Sequence, residues 1–241
     1  MNSSSVNSNN QNLGKNCKDY LVNFWTRVPI FVRSVIITTF LLYILSLYTN
    51  DVQIYLGNTP QDTVNHLRIW TLFTSCMVNP NIINLIFAYI SWIPDGIRLE
   101  SSNGTVKYIL NFFINNSVIQ FTFIVVTYIL SFIDTSIVNE NSLGLWPAIM
   151  AEITMLCIAS PENYVTLCFI PFEFRAKFYP FAIYLFLIVA NGFKFFIIDV
   201  LISIGFGYLY FFHIKNFLNV GDNLVMRTEK AFSFFTKLTG N

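Results

Sequence analysis

Residues 143–160 read LGLWPAIMAEITMLCIAS, an apolar run that opens on Gly144-Leu145-Trp146-Pro147 and carries a single acid, Glu152, at its middle. A bilayer crossing takes about 17–25 residues, and this run is long enough to make one. A charge at the bilayer centre costs at least ~2.5 kcal/mol on insertion scales, so Glu152 is expected to face protein or water. Helices in lipid associate through small residues that let backbones approach, and Pro147-x-x-x-Ala151 offers such a face.

Five further spans are expected around this one. They are about Pro29 to Tyr48, Asn81 to Trp92, Tyr108 to Ile133, Phe178 to Ala190 and Phe195 to Phe212. A turn-interrupted apolar stretch, Leu67 to Pro80, precedes the second. The separation of the last two rests on Asn191-Gly192 and Lys194. The last span carries Ser203-x-x-x-Gly207, a second close-approach face. The fold class is therefore all-α, a polytopic membrane protein of six helices over residues 29–214. Two cytosolic tails are expected to flank it, a disordered one over 1–28 and one over 215–241 with a basic amphipathic helix. That helix spans about Asp222 to Leu238, with Arg227, Lys230 and Lys237, and is expected to lie on the membrane surface.

Composition agrees with the membrane class. The chain is 54% hydrophobic and only 11% charged, against about 45–50% and 25% in soluble domains. A net charge of +1 argues against nucleic acid as a partner. Cys17, Cys76, Cys157 and Cys168 show no paired spacing, so no zinc site or disulfide frame is expected. The first apolar run follows Lys15, Lys18 and Arg27 and reads as an uncleaved helix rather than a signal peptide.

Orientation follows from the basic residues. Six spans place Lys15, Lys18, Arg27, Arg98, Lys107, Arg175, Lys177, Lys215, Arg227, Lys230 and Lys237 on one side, with Arg33 at the same end of the first span. The opposite loops carry Arg68 and Lys194 with Asp51, Asp62, Asp134 and Glu140. Basic loops stay cytosolic, so both termini are expected in the cytosol.

The order of motifs resembles the rhomboid superfamily. After the first span comes His66-Leu-Arg-Ile-Trp70, then Asn79-Pro80, a second helix with Asn84 and Ala88, then Leu99-Glu100 and Gly104. Gly144-Leu-Trp-Pro147 opens the fourth span, and Ser203 and Gly207 fall in the sixth. The resemblance covers about Arg33 to His213. It implies a six-helix rhomboid-like transmembrane bundle in which the fourth and sixth helices pack at the centre, through Pro147, Ala151, Ser203 and Gly207.

The same resemblance implies that proteolysis is absent. Active rhomboids use a Ser in a Gly-x-Ser-Gly motif and a His on the sixth helix. Here the corresponding positions hold Trp146, followed by Pro147, and a residue near Val200. A serine needs a base to become nucleophilic at neutral pH. The histidines of the chain are His66 and His213, expected on opposite sides of the membrane. The embedded-loop pair reads Trp70-Thr71, and Asn79, Asn84 and Ala88 stand where oxyanion-binding residues are expected. No catalytic residue, cofactor or metal is expected.

What the resemblance implies instead is a pseudoprotease of the Derlin-like or a related branch. Its role would be a scaffold for transmembrane client proteins in quality control, degradation or trafficking at the endoplasmic reticulum or Golgi. Lipid is one partner, and ubiquitin-ligase or ATPase machinery a further class. Trp146, Glu152 and Asp199 are the candidate client-binding residues. Glu152 could equally be a neutral hydrogen-bonded group, and Asp199 an interfacial acid reaching the lumen. The short second and fifth spans would thin the bilayer locally. The alternative is a small transporter or channel that uses Glu152 and Asp199 with Asn111, Asn115, Asn116 and Gln120. Those amides could instead be polar glue facing the bundle.

Overall fold

The computed structural model describes residues 25–49, 51–167, 170–190 and 198–214. Most of both expected tails, including the basic stretch 222–238, and the break at Asn191, Gly192 and Lys194 lie outside the described residues.

Among the described residues the chain is mostly helical. Three helices are long and apolar enough to cross a membrane: α1 (Ile30–Tyr48), α5 (Ile82–Asn103) and α6 (Thr105–Leu130). Between α1 and α5 the chain makes three short helices, α2 (Asp51–Leu56), α3 (Pro60–Asn65) and α4 (Thr71–Thr74). Three shorter apolar helices follow, α7 (Trp146–Ala159), α8 (Tyr179–Ala190) and α9 (Ile198–Leu209), the last running on as a π turn to Ile214.

The helices alternate in direction. Glu100 near the end of α5 meets Phe31 and Val32 at the start of α1, while Tyr89 bonds the Ile36 carbonyl, so the two run antiparallel. A corner at Gly104 (φ 82°) turns α5 directly into α6. Tyr108 on α6 meets Glu152 on α7, and Gln120, further along α6, meets Ser142 ahead of α7, so this pair is also antiparallel. Phe181 at the start of α8 stacks near Tyr208 at the end of α9. The described chain thus enters and leaves at one end. Arg33, Arg98, Lys107, Arg175 and Lys177 gather at that end, and Arg68, Asp51, Asp62, Asp134 and Glu140 at the other.

Helix α7 is the centre. Every residue from Trp146 to Thr154 is buried, against α5, α6, α8 and α9. By contrast, Ile37, Phe40, Leu41 and Leu45 of α1 are exposed, as is natural for a helix whose outer face meets lipid. At 14 residues α7 is ~21 Å long, well under the ~30 Å hydrocarbon core.

Two expectations need correction. The second span is not short: α5 continues through Pro94 to Asn103, 22 residues in all. Proline is tolerated inside a membrane helix when neighbours re-satisfy the freed backbone group, so Pro94 does not end α5. The segment between α7 and α8 is not plain loop. Strands β1 (Tyr164–Leu167) and β2 (Ile170–Arg175) form an antiparallel hairpin, with Tyr164 opposite Arg175 and Val165 opposite Phe174. Its Tyr-Val-Thr-Leu and Ile-Pro-Phe-Glu-Phe runs are rich in β-branched and aromatic residues, which favour strands.

Candidate functional site

The seam between α7 and α9 is where the expected site residues come together. An added Cβ on Gly207 would stand 2.7 Å from Thr154 Cβ and 3.1 Å from the Ala151 carbonyl oxygen. Only glycine fits at that approach. One turn earlier, Ser203 is fully buried and donates its hydroxyl back to the Asp199 carbonyl at 2.6 Å. Pro147 lies buried in the first turn of α7, where its missing N–H costs nothing.

At the top of the seam, Ser142 donates its hydroxyl to Asp199 Oδ2 at 2.9 Å. The other Asp199 oxygen accepts the Val200 backbone N–H at 2.8 Å. Asp199 is buried, so it does not reach out to the interface as one of the two sequence alternatives had it. The chain of bonds continues away from it. Gln120 Nε2 donates to Ser142 Oγ at 3.0 Å, and Asn58 Nδ2 donates to Gln120 Oε1 at 2.7 Å. Thr63 donates to Asn58 Oδ1 at 2.9 Å and lies 3.2 Å from the Thr71 hydroxyl. All six side chains are buried. Asn58 and Ser142 also exchange both backbone bonds, at 3.3 and 2.9 Å. A buried polar group left unpaired in lipid is costly, so this chain pins α2–α4 and the α6–α7 connection onto α9.

Glu152 has a separate environment. Trp92 Nε1 and Tyr108 Oη both donate to its Oε2, at 3.0 and 3.1 Å. It ties α7 to α5 and α6, as the hydrogen-bonded alternative held. Trp146 is buried at the start of α7, and its indole N–H meets no acceptor. The turn before it is built around Gly144 (φ 97°), whose missing Cβ leaves room for Asn79 Oδ1 at 2.7 Å from the Cβ position.

As groups offered to a client, Trp146, Glu152 and Asp199 are therefore turned inward. Burial follows from the central position of α7, which sequence periodicity could not reveal because the helix is apolar on every side. The amides of α6 divide. Asn116 donates to the Leu72 carbonyl at 2.9 Å and Gln120 joins the chain above, so both fasten α6 to the loop structure; Asn111 and Asn115 are half-buried. Asn58, Thr63, Thr71, Trp92 and Tyr108 were not anticipated as partners. The alternation of Asn, Thr and Ser in an otherwise membrane-like sequence was the available signal.

The Ser142–Asp199 pair is closed in on all sides. Ser142 has no exposed surface, and Gln120 occupies the other side of its oxygen. His66 is exposed, with Nδ1 4.0 Å from Asp62. Among the described residues, no cluster of His, Cys, Asp and Glu could hold a metal ion.

No curated protein matches the chain. A family model described as eukaryotic integral membrane protein (DUF1751) matches residues 32–235. That match takes in every helix from α1 to α9, and the chain belongs to this eukaryotic integral membrane protein family, which is grouped with the rhomboid-like proteins.

Proposed function

We propose that this protein is a catalytically inactive, rhomboid-like bundle of six crossings that holds transmembrane client proteins. Its work would lie in membrane-protein quality control, degradation or trafficking at the endoplasmic reticulum or Golgi, with both termini in the cytosol. The observation that carries this is the α7–α9 seam. The seam is closed at one end by a buried Ser142–Asp199 bond and further along by Gly207 packed on Thr154 and Ala151. A serine held there has neither imidazole base nor room for a substrate carbonyl, so what the fold retains is its helix arrangement.

Binding in such a bundle falls to its lipid-facing helices, since Trp146, Glu152 and Asp199 are committed inside. The described part of α8, 12 residues, is ~18 Å long, and a span of that length would fall short of the bilayer. A short helix thins the membrane beside it, which lowers the cost of bringing in a client segment with imperfect hydrophobicity. Phe186 of α8 packs edge-on against Phe87 of α5 at 5.6 Å, which brings the two helices together at that point.

Site-specific photo-crosslinking from Ile86 and Leu185, both exposed on these two helices, tests this in native membranes. Recovery of membrane proteins with single spans, identified by mass spectrometry, is the expected result. Recovery of lipid alone from both positions would overturn the scaffold function.

A further inference from the structure

At the end of the bundle where the chain enters and leaves, α7 stops short and a cavity of about 310 Å³ opens beside its last turn. That volume lies at the lower edge of the ~300–1,000 Å³ range of small-molecule sites. Its walls differ in character. Ile153 and Leu156 of α7 and Val165 of β1 make the apolar side, while Asp95 and Arg98 of α5 and Asn163 make the polar side. Asp95 and Arg98 are one helical turn apart and joined by a single bond, Arg98 Nη2 to Asp95 Oδ1 at 3.1 Å. That bond uses one of the five guanidinium N–H donors and one carboxylate oxygen.

Arg98 and Asp95 thus present a cation and an anion side by side, above an apolar wall, at the end of the bundle where a lipid headgroup would lie. We propose that this cavity binds the headgroup of a zwitterionic phospholipid with a primary amine, of the phosphatidylethanolamine class. The remaining N–H groups of Arg98 match a phosphate in the paired geometry that guanidinium favours. The free oxygen of Asp95 accepts the ammonium, and an acyl chain runs along Ile153 and Leu156. An anionic headgroup without an amine places no cation on Asp95. A quaternary ammonium brings no N–H to donate to it. The position has a physical motive too: α7 ends ~9 Å short of a full crossing, and a lipid seated at its end fills the depth the helix leaves.

The test uses the full chain in nanodiscs of phosphatidylcholine doped with one second lipid, phosphatidylethanolamine or phosphatidylglycerol. Lipid retained through mild delipidation is then counted by native mass spectrometry. Phosphatidylethanolamine is expected to be retained about tenfold better than either other lipid, as two charge-assisted contacts allow. Arg98→Gln should abolish that retention. Asp95→Asn should keep phosphate binding but lose the preference over phosphatidylglycerol. Excess soluble phosphoethanolamine should not displace the lipid, because it lacks the acyl contact; displacement would mean that a free phosphoamine is the ligand and would overturn the lipid assignment. Equal retention of all three lipids, or retention unchanged in Arg98→Gln, would overturn the site itself. Arg98 is largely exposed, so its variant should fold, and an unchanged thermal midpoint in phosphatidylcholine alone checks that it does.

Discussion

The carboxylate of Glu100 closes the start of α1: Glu100 Oε2 accepts the backbone N–H of Val32 at 3.0 Å, across 68 residues of sequence. Its other oxygen accepts the Phe31 N–H at 3.0 Å and the Thr105 hydroxyl at 2.8 Å. The first N–H groups of a helix have no partner within it, and a negative charge there also suits the helix dipole. Pro29 supplies no such cap, so the end of α5 supplies it. Glu100 is almost wholly buried, and the Leu-Glu pair is therefore structural rather than a surface feature.

Replacing Glu100 by Ala should destabilise the bundle by about 4–5 kcal/mol, since it loses three bonds and each bond to a charged group contributes ~1.5–3 kcal/mol. Glu100→Gln keeps one acceptor oxygen and should lose about half as much. Unfolding in mixed micelles, followed by tryptophan fluorescence, reads both. Equal stability of the Ala variant and the parent would show that water caps α1 equally well.

The Ser142–Asp199 bond should appear as a coupling rather than as two separate losses. A double-mutant cycle with Ser142→Ala and Asp199→Asn isolates it. Polar pairs in membrane proteins average ~0.6 kcal/mol and reach ~1.7 kcal/mol. A pair at the end of a buried chain should fall in the upper half, near 1 kcal/mol. Strict additivity in the same unfolding assay would mean that the chain Thr63–Asn58–Gln120–Ser142 holds without its last link.

Much of the helical skeleton was legible in the sequence because membrane helices are long, apolar and bounded by charge. The charge asymmetry was legible for the same reason, and Arg98, Lys107 and Arg175 do gather at one end of the bundle. Length within the spans was harder. Pro94 marks an end in a soluble helix, yet α5 runs nine residues past it. The hairpin at Tyr164–Arg175 was not legible because short strands between two spans carry no length signal. Small side chains announce close approach, and Gly207 lies against Thr154 and the Ala151 carbonyl. The burial of Trp146 on α7 was not legible, because exposure in a helix apolar all round depends on its neighbours and not on its own pattern.

The two glycines of α9 should respond oppositely to the same substitution. Nothing lies within 4 Å of a Cβ built on Gly205, whereas one on Gly207 would meet Thr154 Cβ at 2.7 Å. Gly205→Ala should be neutral or stabilise by up to ~1 kcal/mol, as helix propensity favours Ala. Gly207→Ala should cost about 1–3 kcal/mol, the usual penalty of overpacking. Thermal unfolding of the two variants side by side decides it. A Gly207→Ala variant as stable as Gly205→Ala would mean that α7 and α9 separate at little cost.

The orientation of the bundle is open to chemical labelling from one side. Glu140 lies in the exposed connection between α6 and α7, and Glu173 in the exposed hairpin at the opposite end. In a background with Cys17, Cys76, Cys157 and Cys168 replaced, Glu140→Cys and Glu173→Cys each provide one thiol. Basic residues mark the cytosolic side, so a membrane-impermeant maleimide added to sealed, cytosol-side-out vesicles from cells that express the protein should label position 173 at once. Position 140 should react only after the vesicles are permeabilised. The reverse pattern would turn the bundle over and place the Asp95–Arg98 cavity at the lumenal leaflet. Labelling of both positions without permeabilisation would mean that the chain between α6 and the hairpin does not cross, leaving α7 as a buried helix that dips into the bilayer and returns.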